Sequence, residues 1–279
     1  MQTTTVISGD VHARLDKARE LYQRIGMIEC PTDDPMQDVR NPGFVHVQLG
    51  DSVSLGYAEV EAEFYRWYFD IVGVDHALLG NHELPAVWWD PDAVMFLGYH
   101  DRDEVADPER RARLETDIGR DREADQLVRD AFASGRYQVA HAVGEWLVTH
   151  AGLSVVHEAE HGLAGKPAHE IADYLNAHFA ECLTTRRASP ILDSRSMVDG
   201  GIMWLRIEHL VAEYGQGARS LPQIVGHSGY MGPELHHDLV WDIDTPQGVE
   251  DAIGRSEYGG VAALMTRDDG RTFELEYVP

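Results

Sequence analysis

Five short apolar runs in this chain stop at the same kind of boundary, where a turn is followed at once by acid, amide or imidazole side chains. Thr4-Thr-Val-Ile-Ser8 runs into Gly9-Asp10-Val11-His12, and residues 44–49 run into Gly50-Asp51-Ser52. Ala77-Leu-Leu79 meets Gly80-Asn81-His82-Glu83, residues 145–149 meet His150-Ala151-Gly152-Leu153, and residues 222–225 meet Gly226-His227. Apolar, β-branched runs of this length are strands by propensity. Amphipathic helices separate the first three. One carries Leu15, Ala18, Leu21, Tyr22 and Ile25 on a single stripe and can close at Gly26. The next turns Val60, Phe64, Trp67, Tyr68 and Ile71 inward and Glu59, Glu61 and Glu63 outward. Strand–helix–strand–helix–strand predicts an α/β fold with a largely parallel sheet, whose ligands collect at strand ends.

The Pro- and Asp-rich span 30–43 reads as loop. From 84 to 135 the strand pattern lapses into a helical excursion dense in Arg, Asp and Glu, with Leu114, Ile118, Leu127, Val128 and Phe132 as its apolar stripe. A solvated excursion is the plainer reading. A cap over the site, with Trp88 and Trp89 as a stacking surface, is the alternative. Strands are expected again at 137–142 and 145–149, paired through Gly144, and a helix turns Ile171, Leu175 and Phe179 inward. Two more strands and a terminal hairpin across Asp268-Asp269-Gly270 complete the pattern. Without an internal repeat or linker, residues 1–279 are expected to form a single domain.

Charge narrows the partners. Twenty-three basic against 48 acidic residues leave a net charge of −25, with Lys17 and Lys166 the only lysines. Such a surface repels nucleic acid and anionic membrane. It also disfavours anionic substrates unless bound divalent cations reverse the local field. Cys30 and Cys182 make neither a metal-type pair nor a disulfide framework. No run is long enough to span a bilayer, and Met-Gln-Thr-Thr-Thr is not a leader, so a cytoplasmic protein is expected.

The strand-end residues Asp10, His12, Asp51, Asn81, His82, His150 and His227 are oxygen and nitrogen donors without a thiolate. That mixture suits Mn, Fe, Zn or Ni better than calcium. Asp10-x-His12 puts two donors on one side of an extended segment, and the two oxygens of Asp51 can bridge two ions. Gly-Asp-x-His, Gly-Asp, Gly-Asn-His-Glu, His-Ala-Gly-Leu and Gly-His in this order resemble the calcineurin-like metallophosphoesterases. The likeness is to their phosphoprotein-phosphatase branch, which includes the symmetrical diadenosine tetraphosphatases. Trp204-Leu-Arg206 and Asp242-Ile-Asp244-Thr extend it.

The resemblance implies a four-layer sandwich, two mixed sheets flanked by helices. It implies two divalent transition-metal ions, manganese foremost. Asp10 and His12 would hold the first, Asp51 would bridge, and Asn81, His150 and His227 would hold the second. The implied reaction is hydrolysis of a phosphomonoester or phosphoanhydride by a hydroxide that the two metals activate. His82 would be the general acid, and Arg206, with Arg195, would clamp the phosphoryl oxygens. Substrates would be a phosphorylated small molecule, a nucleotide or a phosphoprotein. The family's Asp-Arg-Gly after the bridging aspartate is absent, with Ser54 and Leu55 in the places of its Asp and Arg. That departure supports the alternative of a weak or inactive metal-binding relative acting as a regulatory module. Glu83 is expected to buttress a backbone turn.

Overall fold

A computed structural model of the chain describes residues 3–52, 61–83, 122–185, 187, 189–194, 200–217, 219–228, 232–245 and 260–279. The first strand, β1 (Thr4–Ser8), leads into helix α1 (Leu15–Arg24), which buries Leu15, Ala18, Leu21 and Tyr22 and stops at Gly26, whose φ is +75°. Strand β3 (Val39–Arg40), inside the span expected to be loop, forms a small antiparallel pair with β2 (Ile28–Glu29), which lies just before that span. Strands of two residues carry no periodicity to read. Tertiary contacts hold them, through Asp38, which ion-pairs with Arg19 at 2.7 Å and accepts from Trp67 Nε1 at 2.9 Å.

Strand β4 (Phe44–Gln48) runs parallel to β1. Helix α2 (Glu61–Arg66) continues as a π-helical stretch, Trp67–Val72, and closes at Gly73. Strand β5 (His76–Leu78) follows, then α3 (Arg122–Ala133), β6 (Tyr137–Gln138), β7 (Ala140–Val143) and β8 (Trp146–Thr149). Next come α4 (Val155–Glu160), α5 (Ala168–Thr185), the single turn α6 (Pro190–Asp193) and α7 (Ile207–Gly215). The remaining strands are β9 (Gln223–Val225), β10 (Glu234–His236), β11 (Val240–Asp242), β12 (Val261–Thr266) and β13 (Glu274–Val278).

These strands form two mixed sheets, one in the order β13-β12-β1-β4-β5-β6 and the other β10-β11-β9-β8-β7. The run 137–142, expected to be one strand, divides between them. Tyr137 and Gln138 pair with β5, and Ala140 onward pairs with β8. Asn176 on α5 holds the break. Its Oδ1 accepts from the backbone N–H groups of Val139 and Ala140, and its Nδ2 donates to Ala140 O. The side-chain amide therefore satisfies polar groups that neither sheet reaches.

Period-2 alternation sorts the core into layers. Ile7, Val47, Leu49 and Leu78 of the first sheet meet Val143, Val148, Ile224 and Ile243 of the second. Each such fully buried side chain contributes about 1.5–3 kcal/mol. Val6, Ala77 and Ala263, on the other face of the first sheet, belong to the cluster of Leu21, Tyr22, Trp67 and Tyr68. On the far side of the second sheet, Ile207, Leu210 and Tyr214 of α7 cover Val225 and Val240. The result is the expected four-layer sandwich, with two mixed sheets between helices. No helix among the described residues is long and apolar enough to cross a membrane. The stretch 84–121, with Trp88 and Trp89, lies outside the described residues, as do Ser54 and Leu55.

Candidate metal centre

Backbone geometry marks the strand ends first. His12, Asp51 and His227 have positive φ, at 42°, 50° and 73°. Each non-glycine residue held there costs of order 1 kcal/mol or more, and such strain persists where surrounding structure enforces it. Here the loops tie one another down. His12 N donates to Asp51 O at 2.9 Å, Ala13 N to Ser52 O at 2.8 Å, and Gly226 N to His150 O at 2.7 Å. Glu83, fully buried, accepts from Gly80 N, Asp51 N, Ser52 N and Ser52 Oγ at 2.6 to 2.9 Å. It buttresses the turn around Asp51, the role its place in the sequence predicts.

Two glycines then let the carboxylates in. A Cβ on Gly80 would collide with Asp51 Oδ1, and one on Gly226 would collide with Asp10 Oδ1.

The side chains converge. Asp10 Oδ2 accepts from His227 N at 3.0 Å, and its Oδ1 lies 3.8 Å from His150 Nδ1. Asp51 Oδ1 accepts from His82 N at 2.9 Å. Asp51 Oδ2 lies 3.4 Å from His150 Nε2 and 3.7 Å from His82 Nε2. Asn81 Oδ1 is 2.9 Å from His150 Nε2. In its neutral form His150 would carry its proton on Nδ1, which is 3.1 Å from the carbonyl oxygen of Leu49. Nε2 of a neutral His150 then turns a lone pair toward two oxygens that are also acceptors. Three electron-rich atoms facing one another call for a cation.

Two donor groups result, Asp10–His12–Asp51 and Asp51–His150–His227, each with ligand atoms within 4.8 Å of one another and with Asp51 common to both. Among the described residues, buried Asp10 Oδ1 and His227 Nε2 find no hydrogen-bond partner. Buried polar atoms are rarely left so, and both sit where an ion would satisfy them. Nitrogen and oxygen donors, orphaned atoms and shared carboxylate together fit divalent transition metals.

The electrostatics agree. Burial, Asp244 and Asp51 push the Asp10 carboxyl well above its usual range. Burial alone would raise Asp51 too, but His150 and His82 overcome it and hold Asp51 well below the carboxylate range. Burial lowers His150, yet Asp51 more than compensates and its proton affinity rises. Burial and His150 keep His227 well below the usual histidine range. An Asp10 carboxyl that holds its proton more tightly and a His150 imidazole with a raised proton affinity both register a deficit of positive charge.

Of the remaining expected residues, His82 stands with its ring edge-on to His12 at 5.2 Å, and its side chain is 25% exposed. Arg206 is half-buried at the start of α7, and its charge adds to the lowering of His227. Arg195 lies outside the described residues. Sequence reasoning gave no role to Asp244, which is buried after β11 and acts on both Asp10 and His150. Trp204, whose ring lies 5.9 Å from His227, was also without a role. The Asp-x-Asp at 242–244 is visible in the sequence, but its closeness to Asp10 depends on the two sheets meeting.

A solved structure described as a "putative diadenosine tetraphosphatase" superposes with a TM-score of 0.51 over 100% of this chain and 94% of its own, at 13% identity. At that identity the likeness is one of fold. No family model and no curated protein sequence matches the chain.

Proposed function

We propose that the chain is a metal-dependent phosphoesterase that hydrolyses a phosphomonoester or phosphoanhydride. The observation that carries this reading is Asp51, one carboxylate shared by two donor groups at the strand ends. Asp10 and His12 would complete one site, and Asn81, His150 and His227 the other, with manganese the favoured ion. Two such ions supply a nucleophile at neutral pH and offset phosphoryl charge during in-line displacement. His82, partly exposed beside Asp51, would give its proton to the leaving oxygen. Arg206, half-buried at the start of α7 and near enough for its charge to act on His227, would bind a phosphoryl oxygen through its forked N–H groups.

The likeness in fold to a structure described as a diadenosine tetraphosphatase favours a nucleotide anhydride, a dinucleoside tetraphosphate, as substrate. The net charge of −25 makes bound cations a precondition for admitting any such polyanion. Mn-dependent release of phosphate from p-nitrophenyl phosphate, and cleavage of a dinucleoside tetraphosphate, test the reading. The wild type should turn over at least one of these, and Asp51→Asn should lose both turnover and most of the manganese. Wild-type protein that binds manganese stoichiometrically and hydrolyses neither would instead be a regulatory or binding module.

A further inference from the structure

Helix α4 and its C-cap residue carry the run His157-Glu158-Ala159-Glu160-His161. In hydrolytic zinc sites a His-Glu-x-x-His run on a helix sets two imidazoles on one face, and the glutamate between them acts as general base. Here the geometry departs from that arrangement in an informative way. Glu158 is turned into the protein, where Arg219 meets it at 2.7 Å. Arg219 is in turn held by Glu213 at 3.0 Å and by the carbonyl oxygen of Leu153. The other glutamate, Glu160, joins the two histidines instead. One ligand atom from each of His157, Glu160 and His161 lies within 4.8 Å of the others, and His157 Nδ1 is 3.4 Å from Glu160 Oε2. Donors about 2.0–2.2 Å from a tetrahedral zinc stand roughly 3.4 Å apart.

The surroundings suit an ion. Ser154 Oγ accepts from His157 N and fixes the start of the helix. Tyr174 on α5 reaches His161 Nδ1 through its hydroxyl at 2.7 Å, the kind of outer contact that orients a ligating imidazole. The His157 side chain is 5% exposed and that of Glu160 61%, so the group has a buried wall and an open mouth.

We propose that His157, Glu160 and His161 form a mononuclear site for zinc or a like divalent ion, separate from the centre around Asp51. With Glu158 committed to Arg219, the site binds the ion without the base that hydrolysis needs. Its effect is to clamp the two turns of α4.

Metal content after equilibrium dialysis of the full chain against micromolar zinc tests this, with His161→Ala and Glu160→Gln alongside the wild type. Each variant should hold one equivalent fewer than the wild type and keep its Mn-dependent turnover. Copper in this site should show nitrogen hyperfine structure in the wild type that weakens in His161→Ala. Asp51→Asn, which lacks the other centre, should retain the equivalent and the copper signal, so failure here is distinguishable from failure of the phosphoesterase reading. Glu160 is exposed, so Glu160→Gln will fold. Equal zinc content in the wild type and both variants would overturn the proposal.

Discussion

At the scale of single residues, the candidate centre depends on atoms brought closer than ordinary packing allows. Gly80 has a backbone that alanine can adopt, yet its missing Cβ leaves room for the Asp51 carboxylate. Gly80→Ala should therefore destabilise the protein by about 1–3 kcal/mol, the cost of overpacking. It should also weaken manganese binding, because Asp51 is the carboxylate that must move. Urea unfolding and metal titration of the variant check both effects. His82 calls for the opposite separation. His82→Ala should leave metal content intact and lower kcat by about 10²–10⁴-fold on a substrate with a poor leaving group. The loss should be much smaller on p-nitrophenyl phosphate, whose leaving group departs without a proton. Equal rates for wild type and variant on the poor leaving group would remove His82 from the chemistry.

At the scale of elements, what the sequence discloses depends on how far apart the deciding residues lie. The strand ends at Asp10, Asp51, Asn81, His150 and His227 are local patterns, and the structure brings those residues together. The break between β6 and β7 is not local, because it is set by Asn176 on α5. Likewise β3 is held through the adjacent Asp38 by Arg19 and Trp67, so the composition of its span reads only as loop. In the helix α4 run the His157 and His161 spacing is legible, but the withdrawal of Glu158 toward Arg219 is not.

Strand β4 also carries a buried group with a measurable consequence. His46 contacts Ser8 Oγ at 2.8 Å and Tyr22 Oη at 3.2 Å. Burial, with Arg40 adding to it, lowers its pKa from 6.5 to about 3. Between those values the unfolded chain takes up a proton that the folded chain refuses. Stability therefore falls as pH drops through 6.5 toward about 3, and the loss is absent above that window. Replacing His46 with Phe should shrink the difference in unfolding free energy between pH 7 and pH 5 by about 2 kcal/mol. Denaturant titrations of wild type and variant at the two pH values read it directly.

At the scale of the whole molecule, the four-layer sandwich places the ends of strands from both sheets at one locus and surrounds it with a surface of net charge −25. Buried carboxylates within that field repel one another, so cations should stabilise the fold as well as enable catalysis. An ion at a hundred times its Kd adds about 2.7 kcal/mol, so saturating manganese should raise Tm by several degrees. EDTA should reverse the shift, and Asp51→Asn should abolish it. Manganese is the better probe than zinc, because it binds nitrogen donors such as those on α4 more weakly. The central claim is that two ions share Asp51, and anomalous diffraction from a manganese-loaded crystal tests it most directly. Two peaks should appear, one beside Asp10 and His12 and the other beside His150 and His227, with the Asp51 carboxylate between them. A single peak, or density for manganese only elsewhere on the protein, would contradict it.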